Sequence, residues 1–241
     1  MVAVTPDESP ARLLAIAAHP DDIDFGLGGT VAQLAAAGTE VTYCVITDGD
    51  AGGFDPEVPR SDIPRIRRDE QRAAARILGA KDVVFLGYRD GELTVTHDLR
   101  RDISRVIRQV RPEVAVVQTP IRNLERMYAS HPDHLAAGEA AMQAVYPDSR
   151  NPFAHPTLLQ DEGLVEWTVP QTWIAGYSDP DWFRDITSAL PQKVAALQAH
   201  ESQTAHMDVE AALRGWGGAM AVEQGFPEGT VVEGFKVLDT R

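Results

Sequence analysis

Residues 13–24 read LLAIAAHPDDID, an apolar run that ends in an imidazole and a group of carboxylates. The run Leu13–Ala17 is short and apolar throughout, which is typical of a strand buried on both faces of a sheet. His19, Asp21 and Asp22 then stand on the turn that leaves this strand. The stretch therefore predicts a buried strand whose carboxyl end carries side chains able to hold a metal ion and to move a proton.

Strand-like runs alternate with helical patterns through the first part of the chain. This β-α-β-α order, with right-handed crossovers, predicts an α/β fold: a Rossmann-like three-layer αβα sandwich with a mostly parallel sheet. No internal repeat, low-complexity tract or linker divides the chain, so we expect residues 1–241 to form a single domain. After the first strand, the expected strands are 41–47, 83–86 and 114–118, and the expected helices are 27–37, 66–78, 97–110 and 134–145.

Beyond residue 147 the pattern is less regular. The prolines within residues 147–171 indicate a surface excursion. A further strand is expected at Gln171–Tyr177, a helix at Lys193–Ala205, and a late edge strand that includes Val237–Leu238. We therefore look for functional residues at the first four strands.

Polar segments follow each of these four predicted strands. In open α/β sheets, ligands bind beyond the carboxyl ends of the parallel strands, which lie at one edge. We therefore expect the four segments to converge on one site. These segments are the turn with His19 after the first strand, the long loop 48–64 after the second, the turn with Asp90 after the third and the turn with His131 after the fourth.

The bulk composition excludes several classes of protein. The chain carries 22 basic and 36 acidic residues, a net charge of −14, which disfavours nucleic acid and anionic membranes as partners. No apolar run approaches the roughly 20 residues of a membrane helix, and segment 1–10 lacks the features of a signal peptide, which predicts a cytoplasmic protein. The only cysteine, Cys44, lies in an apolar run and is expected to be a buried, inert thiol.

The first polar cluster has the spacing of a metal site. His19 and Asp22 stand three residues apart on the predicted turn, close enough to chelate one ion. Asp21 points elsewhere, which suits it to accept a proton from a water molecule that the metal activates. Zinc is the expected metal, and Fe²⁺ suits histidine and aspartate ligands as well. The simpler interpretation is that Asp21 and Asp22 only cap the following helix.

The glycines after this cluster raise the alternative of a nucleotide-dependent enzyme. Residues 26–30 read GLGGT, but the dinucleotide fingerprint G-x-G-x-x-G fails because Val31 occupies its last position. We interpret the glycines instead as allowing a tight turn into the helix behind the metal site.

The segment HPDH at residues 131–134 forms the second cluster. Either His131 or His134 can complete a site of two histidines and one aspartate that leaves one coordination position open. The other histidine, when protonated, can stabilise an oxyanion or give a proton to a leaving amine, with Asp133 setting its tautomer or pKa. The simpler interpretation is that His131 is an exposed helix cap.

The two clusters together resemble the LmbE-like, or PIG-L, superfamily of zinc-dependent de-N-acetylases. The first family motif, AHPDDE, corresponds to Ala18–Asp22 followed by Ile23, and the second, HPDH, to His131–His134. Weaker similarity covers about residues 12–205. The resemblance implies a Zn²⁺-dependent hydrolase that removes an N-acetyl or related N-acyl group from an amino sugar, a glycoside or another sugar-containing small molecule.

The same resemblance implies roles for individual residues. Among these residues, Arg67 lies beside Arg68 on a helix that we expect to be exposed. The alternative to a substrate role for Arg67 is that it forms a solvated ion pair on the surface. The implied roles are metal ligands for His19, Asp22 and His134, general base for Asp21, acid or electrostatic partner for His131, and substrate binding for Arg67 and Asp90.

Two positions depart from the family pattern. Ile23 replaces the usual Glu of the first motif, so Asp24 is the candidate to supply the hydrogen bond of that residue. Tyr128 stands three residues before the second motif, whereas the mycothiol branch carries a tyrosine two residues before it. The departure at Ile23 leaves a sugar-binding or regulatory protein with the same fold and no hydrolysis as the alternative function. The sequence does not identify the acylated substrate, and it is compatible with a homo-oligomer.

Overall fold

The strand predicted first, β1, lies at the centre of a mixed sheet. The structure is a computed structural model that describes residues 9–241, so most of segment 1–10 lies outside the described residues. Within residues 9–241 the sheet has seven strands: β1 (Arg12–Ala17), β2 (Glu40–Thr47), β3 (Asp82–Tyr88), β4 (Val114–Gln118), β5 (Gln171–Ala175), β6 (Trp182–Asp185) and β7 (Val232–Asp239). Their order across the sheet is β3-β2-β1-β4-β5-β7-β6.

The same range of residues contains eight α-helices. The first four alternate with β1 to β4 in the order that the sequence predicts, and the other four follow α4 in the chain. They are α1 (Asp22–Ala36), α2 (Ile63–Leu78), α3 (His97–Val110), α4 (Pro132–Gln143), α5 (Pro156–Gln160), α6 (Leu190–Gln198), α7 (Glu201–Thr204) and α8 (Val209–Glu223).

The sheet is mostly parallel and is covered on both faces. Parallel pairing runs from β3 through β2, β1 and β4 to β5, whereas β7 is antiparallel to β5 and β6. Alternate residues of β1 enter two separate cores. Leu13 and Ala15 pack in the core with α1, α2 and α6, and Leu14 and Ile16 pack in the core with α3 and α4. The predicted three-layer α/β fold is therefore confirmed.

Three predicted elements differ from those observed. The helix expected from Leu27 begins at Asp22, so the first cluster itself forms the first turn of α1. The helix expected at Lys193–Ala205 is two helices, α6 and α7, because the backbone leaves helical geometry at His200. The late strand β7 lies between β5 and β6, so it is an interior strand and the prediction of an edge strand was wrong.

The sequence pattern missed β6 and α8. Helix α8 contains Gly215, Gly217 and Gly218, which lower the intrinsic helix propensity of the segment. Packing requires the second of these glycines, since a Cβ at Gly217 would lie 2.6 Å from Cγ1 of Val231. The helix therefore depends on a tertiary contact that a local pattern cannot reveal.

Two other expectations concern burial and length. Cys44, in β2, is fully buried, as predicted. Among the helices of residues 9–241, none combines the length and the apolar character needed to cross a membrane.

A buried ion pair between α6 and β7 supports a break in α1. Helix α1 leaves helical geometry at Leu27 (φ −147°), so the chain needs new acceptors for the N–H groups that follow the break. The Glu233 carboxylate accepts the N–H groups of Gly29 and Thr30 at 2.9 and 2.8 Å. It also accepts Nζ of Lys193 at 2.6 Å, and both charged side chains are almost fully buried. Glu233 therefore caps the second half of α1, and Lys193 neutralises the charge of Glu233.

Replacing Lys193 with Met should lower the free energy of unfolding by about 3–5 kcal/mol, because the Glu233 charge stays buried without its partner. Urea denaturation at constant pH measures this change. Lys81→Met is the matched control, since Lys81 forms an exposed pair with Glu40 at 2.8 Å, and it should alter stability far less. Equal losses in the two variants would contradict the role given to the buried pair.

Candidate active site

The carboxyl ends of the central strands meet at one edge of the sheet. Because β1 pairs with β4, the turn after β1 lies beside the segment that leads from β4 into α4. His19 follows β1 by two residues, Asp22 is the first residue of α1, and His131 and His134 stand at the start of α4. The structure thus brings the two predicted clusters together.

The three predicted ligands face one another at short distances. Nδ1 of His19 lies 3.2 Å from Nε2 of His134. The Asp22 carboxylate lies 3.3 Å from the first nitrogen and 3.1 Å from the second. Ligand atoms about 2.1 Å from a tetrahedral zinc ion are separated by roughly 3.4 Å, so these donors have the spacing that one ion requires.

His131 stands beside this group and caps α4. Its Nδ1 accepts the N–H of Asp133 at 3.2 Å, and its ring lies 4.9 Å from that of His19 and 5.3 Å from that of His134. One ring nitrogen from each of the three histidines lies within 4.8 Å of the other two. Burial and the two neighbouring imidazoles lower the pKa of His131. A neutral His131 whose Nδ1 accepts a hydrogen bond carries its proton on Nε2, and can donate it into the site.

Two carboxylates lie behind His19. Its Nε2 is 3.0 Å from Oδ1 of Asp90 and 3.3 Å from Oδ2 of Asp133. Asp133 is itself held by the N–H groups of Gly91 and Leu93, at 2.7 and 3.3 Å. A carboxylate in this position fixes the histidine tautomer in which the opposite nitrogen is free to bind a metal.

Both carboxylates thus have surroundings that the sequence did not indicate. Asp90, which the resemblance assigns to substrate binding, is 8% exposed and lies against His19, and its substrate role stays a prediction. The Asp133 carboxylate, which we considered as the partner of His131, contacts His19 instead. The first turn of α4 directs it toward the loop after β3, where the N–H group of Gly91 lies. Residue spacing alone could not give this direction.

The surroundings of His19 are strongly negative. Burial alone would lower the pKa of His19, but hydrogen bonds to Asp133, Asp22 and Asp90 raise it to about 12. These carboxylates therefore favour positive charge at this point, whether a proton or a metal cation supplies it. A divalent cation that binds here must displace the proton, so metal binding should release protons.

Asp21 has strained backbone geometry and lies against a buried cation. Its φ is 96° and its ψ is −31°, a conformation that is costly for a residue other than glycine and is concentrated at functional sites. The N–H of Asp21 donates to Oε1 of Gln71 at 2.9 Å, and its carboxylate accepts Nη2 of Arg67 at 3.0 Å. Burial raises the pKa of Asp21 to about 6, with Arg67 opposing and Asp22 adding to the shift. A carboxylate with this pKa suits general base catalysis near neutral pH.

Arg67 lies on the buried face of α2, so the expectation that it stands on an exposed helix was wrong. It is 3% exposed, and its guanidinium donates to Asp21 and to the carbonyl groups of Pro20 and Gly49. A Cβ at Gly49 or Gly52 would overlap Nη1 of Arg67, so these two glycines make room for it. Substrate binding by Arg67 stays a prediction, whereas its contacts position Asp21.

A buried polar network beneath Asp21 was not predicted as a unit. Asp24 accepts hydrogen bonds from Nε2 of Gln71 at 2.7 Å, from the hydroxyl of Tyr43 at 3.2 Å, and pairs with Nε2 of His200 at 2.7 Å. Four side chains of this network, from Asp24 to His200, are fully buried. Because Gln71 also accepts the N–H of Asp21, the network holds the strained turn from below.

A cavity of about 620 Å³, which we call the metal-site cavity, opens beside Asp22 and His134. Residues of β1 and β4 line its base, and Tyr128 and Trp216 line its wall. Tyr128 is 78% exposed, and its hydroxyl accepts two hydrogen bonds from the Arg126 guanidinium. The cavity therefore offers space for a small molecule next to two of the predicted ligands, framed by aromatic groups from outside the two motifs.

Replacing Asp133 with Asn should weaken divalent metal binding by ~10–100-fold, because the support behind His19 loses its charge. Isothermal titration calorimetry with the metal ion measures the affinity. Asp69→Asn, at an exposed site on α2, removes the same charge and should leave the affinity unchanged. An unaltered affinity in the Asp133 variant would mean that Asp90 alone orients the imidazole.

Comparison with known proteins identifies relatives that cover most of this chain. The family described as PIG-L, GlcNAc-PI de-N-acetylase, matches residues 14–145. A diacetylchitobiose deacetylase of Thermococcus kodakarensis is 34% identical over 192 residues, which cover 80% of this chain and 70% of that protein. A probable N-acetyl-alpha-D-glucosaminyl L-malate deacetylase 2 of Bacillus anthracis is 30% identical over 201 residues, which cover 80% and 82%. The solved structure of N,N'-diacetylchitobiose deacetylase from Pyrococcus horikoshii superposes with a TM-score of 0.88 at 31% identity, and covers 98% of this chain and 86% of that one.

Proposed function

Because the chain belongs to the PIG-L family of GlcNAc-PI de-N-acetylases, we propose that it is a metal-dependent N-deacetylase. Its substrate would be an amino sugar, or a small molecule that contains one, bearing an N-acetyl or related N-acyl group. The observation that carries this proposal is the convergence of His19, Asp22 and His134 on one point, with Asp21 beside them.

The donor set fits Zn²⁺ or Fe²⁺. Two imidazole nitrogens and one carboxylate within 3.1–3.3 Å of one another would hold the ion, and Asp133 supports the tautomer that His19 needs. When bound, either metal polarises the amide carbonyl and makes water a stronger acid. The remaining chemistry is supplied by side chains of the protein.

Asp21 would act as the general base. In amide hydrolysis a water oxygen bonds to the carbonyl carbon, and the proton that the water loses passes to the Asp21 carboxylate. Arg67 and Gln71 keep this residue in place, through its carboxylate and its N–H group. The raised pKa of Asp21 lets it take the proton and then give it up again.

His131 would stabilise the charge that develops on the carbonyl oxygen. With Nδ1 accepting the N–H of Asp133, its Nε2–H is the group available for donation to an oxyanion. The C–N bond then breaks as the nitrogen receives a proton from Asp21 or His131. The products are a carboxylate and the protonated amine of the sugar, which takes up the proton that the carboxylic acid loses.

The proposal is tested by measuring amine and acetate released from N-acetylated sugars by protein loaded with Zn²⁺ or Fe²⁺. We expect the two products in equal amounts, and none with His134→Ala. A protein that only binds sugars, the alternative raised by Ile23, would retain affinity for these compounds and release no amine with either metal. That result would contradict the proposed function.

A further inference from the structure

A second cavity, which we call the outer groove, continues the metal-site cavity away from the ligands. It also has a volume of about 620 Å³, and both cavities are lined by Thr119, Ala129, Gly176 and Trp216. The residues assigned to the reaction do not line it. A molecule whose acetamide lies at the ligands would therefore have room for a second unit in the outer groove.

Trp216 stands at the junction of the two cavities. Its side chain is 54% exposed, and on one side its ring packs against that of Phe25, with centroids 6.4 Å apart. Gly215 and Ala219, its neighbours in α8, line the outer groove as well and have side chains too small to cover the ring. An exposed aromatic face held in place by packing is suited to contact the apolar C–H face of a sugar ring.

The outer groove carries an excess of negative charge. Three carboxylates, Glu125, Asp179 and Glu223, line it, against one cation, Arg126. That guanidinium is already bonded to the Tyr128 hydroxyl, at 2.6 and 3.0 Å. Carboxylates accept hydrogen bonds from hydroxyl groups, but they repel another carboxylate or a phosphate.

We propose that the outer groove is a subsite for an uncharged second sugar, linked to the sugar that carries the N-acetyl group. Trp216 is its stacking platform, and the carboxylates select hydroxyl groups and exclude anionic groups. This rests on the proposed deacetylase function and narrows it. Neutral N-acetylated disaccharides are then better substrates than free N-acetylglucosamine or its glycosides with organic acids.

Three probes test the subsite: N,N'-diacetylchitobiose, N-acetylglucosamine and the N-acetylglucosaminyl glycoside of L-malate. We expect kcat/KM to be at least about tenfold higher for the disaccharide than for either other probe. Added salt should reduce the difference in kcat/KM between the disaccharide and the malate glycoside, because it screens the repulsion of the malate carboxylates. Trp216→Ala should lower the ratio of disaccharide to monosaccharide kcat/KM by about tenfold, and Trp216→Tyr should restore most of it.

Charge is tested by a matched pair of double variants. Glu125→Lys with Glu223→Lys should reverse or abolish the preference for the disaccharide over the malate glycoside. Glu210→Lys with Glu228→Lys makes the same change in net charge outside both cavities and should leave the preference as it is. If both double variants behave alike, the carboxylates of the groove do not select the substrate.

Failure of the subsite and failure of the deacetylase give different results. Equal kcat/KM for the three probes, insensitive to Trp216→Ala, would overturn the subsite and leave the deacetylase intact. No turnover of any probe would contradict the deacetylase. Calorimetric binding of the disaccharide to the wild type and to Trp216→Ala then decides the subsite by itself, since a binding subsite requires weaker binding in the variant.

Discussion

Replacing Asp21 with Asn is expected to lower kcat by about 10²–10⁴-fold while the protein keeps its metal, because a positioned proton acceptor is lost and the ligands are not. The amide has nearly the shape of the carboxylate and can still accept the hydrogen bond from Arg67. Steady-state kinetics on an N-acetylated sugar, together with metal analysis of the same sample, measures both quantities.

The neighbouring carboxylate provides the control for this experiment. Asp22→Asn changes the same charge one residue away, but Asp22 faces the nitrogens of His19 and His134. We expect this variant to lose metal and activity together. If Asp21→Asn lost metal to the same extent, Asp21 would be a ligand; if it retained full activity, another group would be the base.

The meeting of the two predicted clusters could be predicted from the sequence because its information is local. The apolar run before His19 fixes a central strand, and parallel pairing then brings the turn after β1 to the residues after β4. The strained backbone of Asp21 belongs to the same turn, but its φ of 96° could not be predicted from residue spacing. What the chain encodes within about ten residues was therefore predicted, as was the sheet edge where the segments meet.

The supports of the site could not be predicted because they depend on which face of an element is buried. Arg67 and Arg68 are adjacent on α2, yet only Arg67 points beneath Asp21, in space that Gly49 leaves open. Asp133 is adjacent to His134, yet its carboxylate supports His19. Such directions follow from the packing of whole helices, which no short motif contains.

The outer groove was beyond prediction for a related reason. Its aromatic platform lies on α8, a glycine-containing helix that is held by packing against the segment before β7. The groove therefore exists only once the sheet is complete and the last helix is docked. The proposed subsite is therefore built from late and irregular parts of the chain, and the candidate catalytic residues come from early and regular ones.

Removing divalent metal with a chelator should abolish activity and destabilise the protein. Three carboxylates, Asp22, Asp90 and Asp133, surround His19 and favour a cation at this point. A metal present at ~1,000 times its dissociation constant stabilises the folded state by about 4 kcal/mol. For a chain of this size that corresponds to a rise in Tm of roughly 8–16 °C. Differential scanning calorimetry of the stripped and reloaded protein measures the shift.

Two further measurements separate a specific site from general binding of cations to an acidic protein. His134→Ala removes one ligand and no negative charge, so Zn²⁺ should raise its Tm far less than that of the wild type. Because the ligands must lose protons to bind metal, titration with Zn²⁺ in weakly buffered solution should release protons from the wild type and fewer from the variant. If Zn²⁺ raised Tm and released protons equally in both proteins, His134 would not be a ligand. The metal would then have to be assigned to carboxylates elsewhere on the protein.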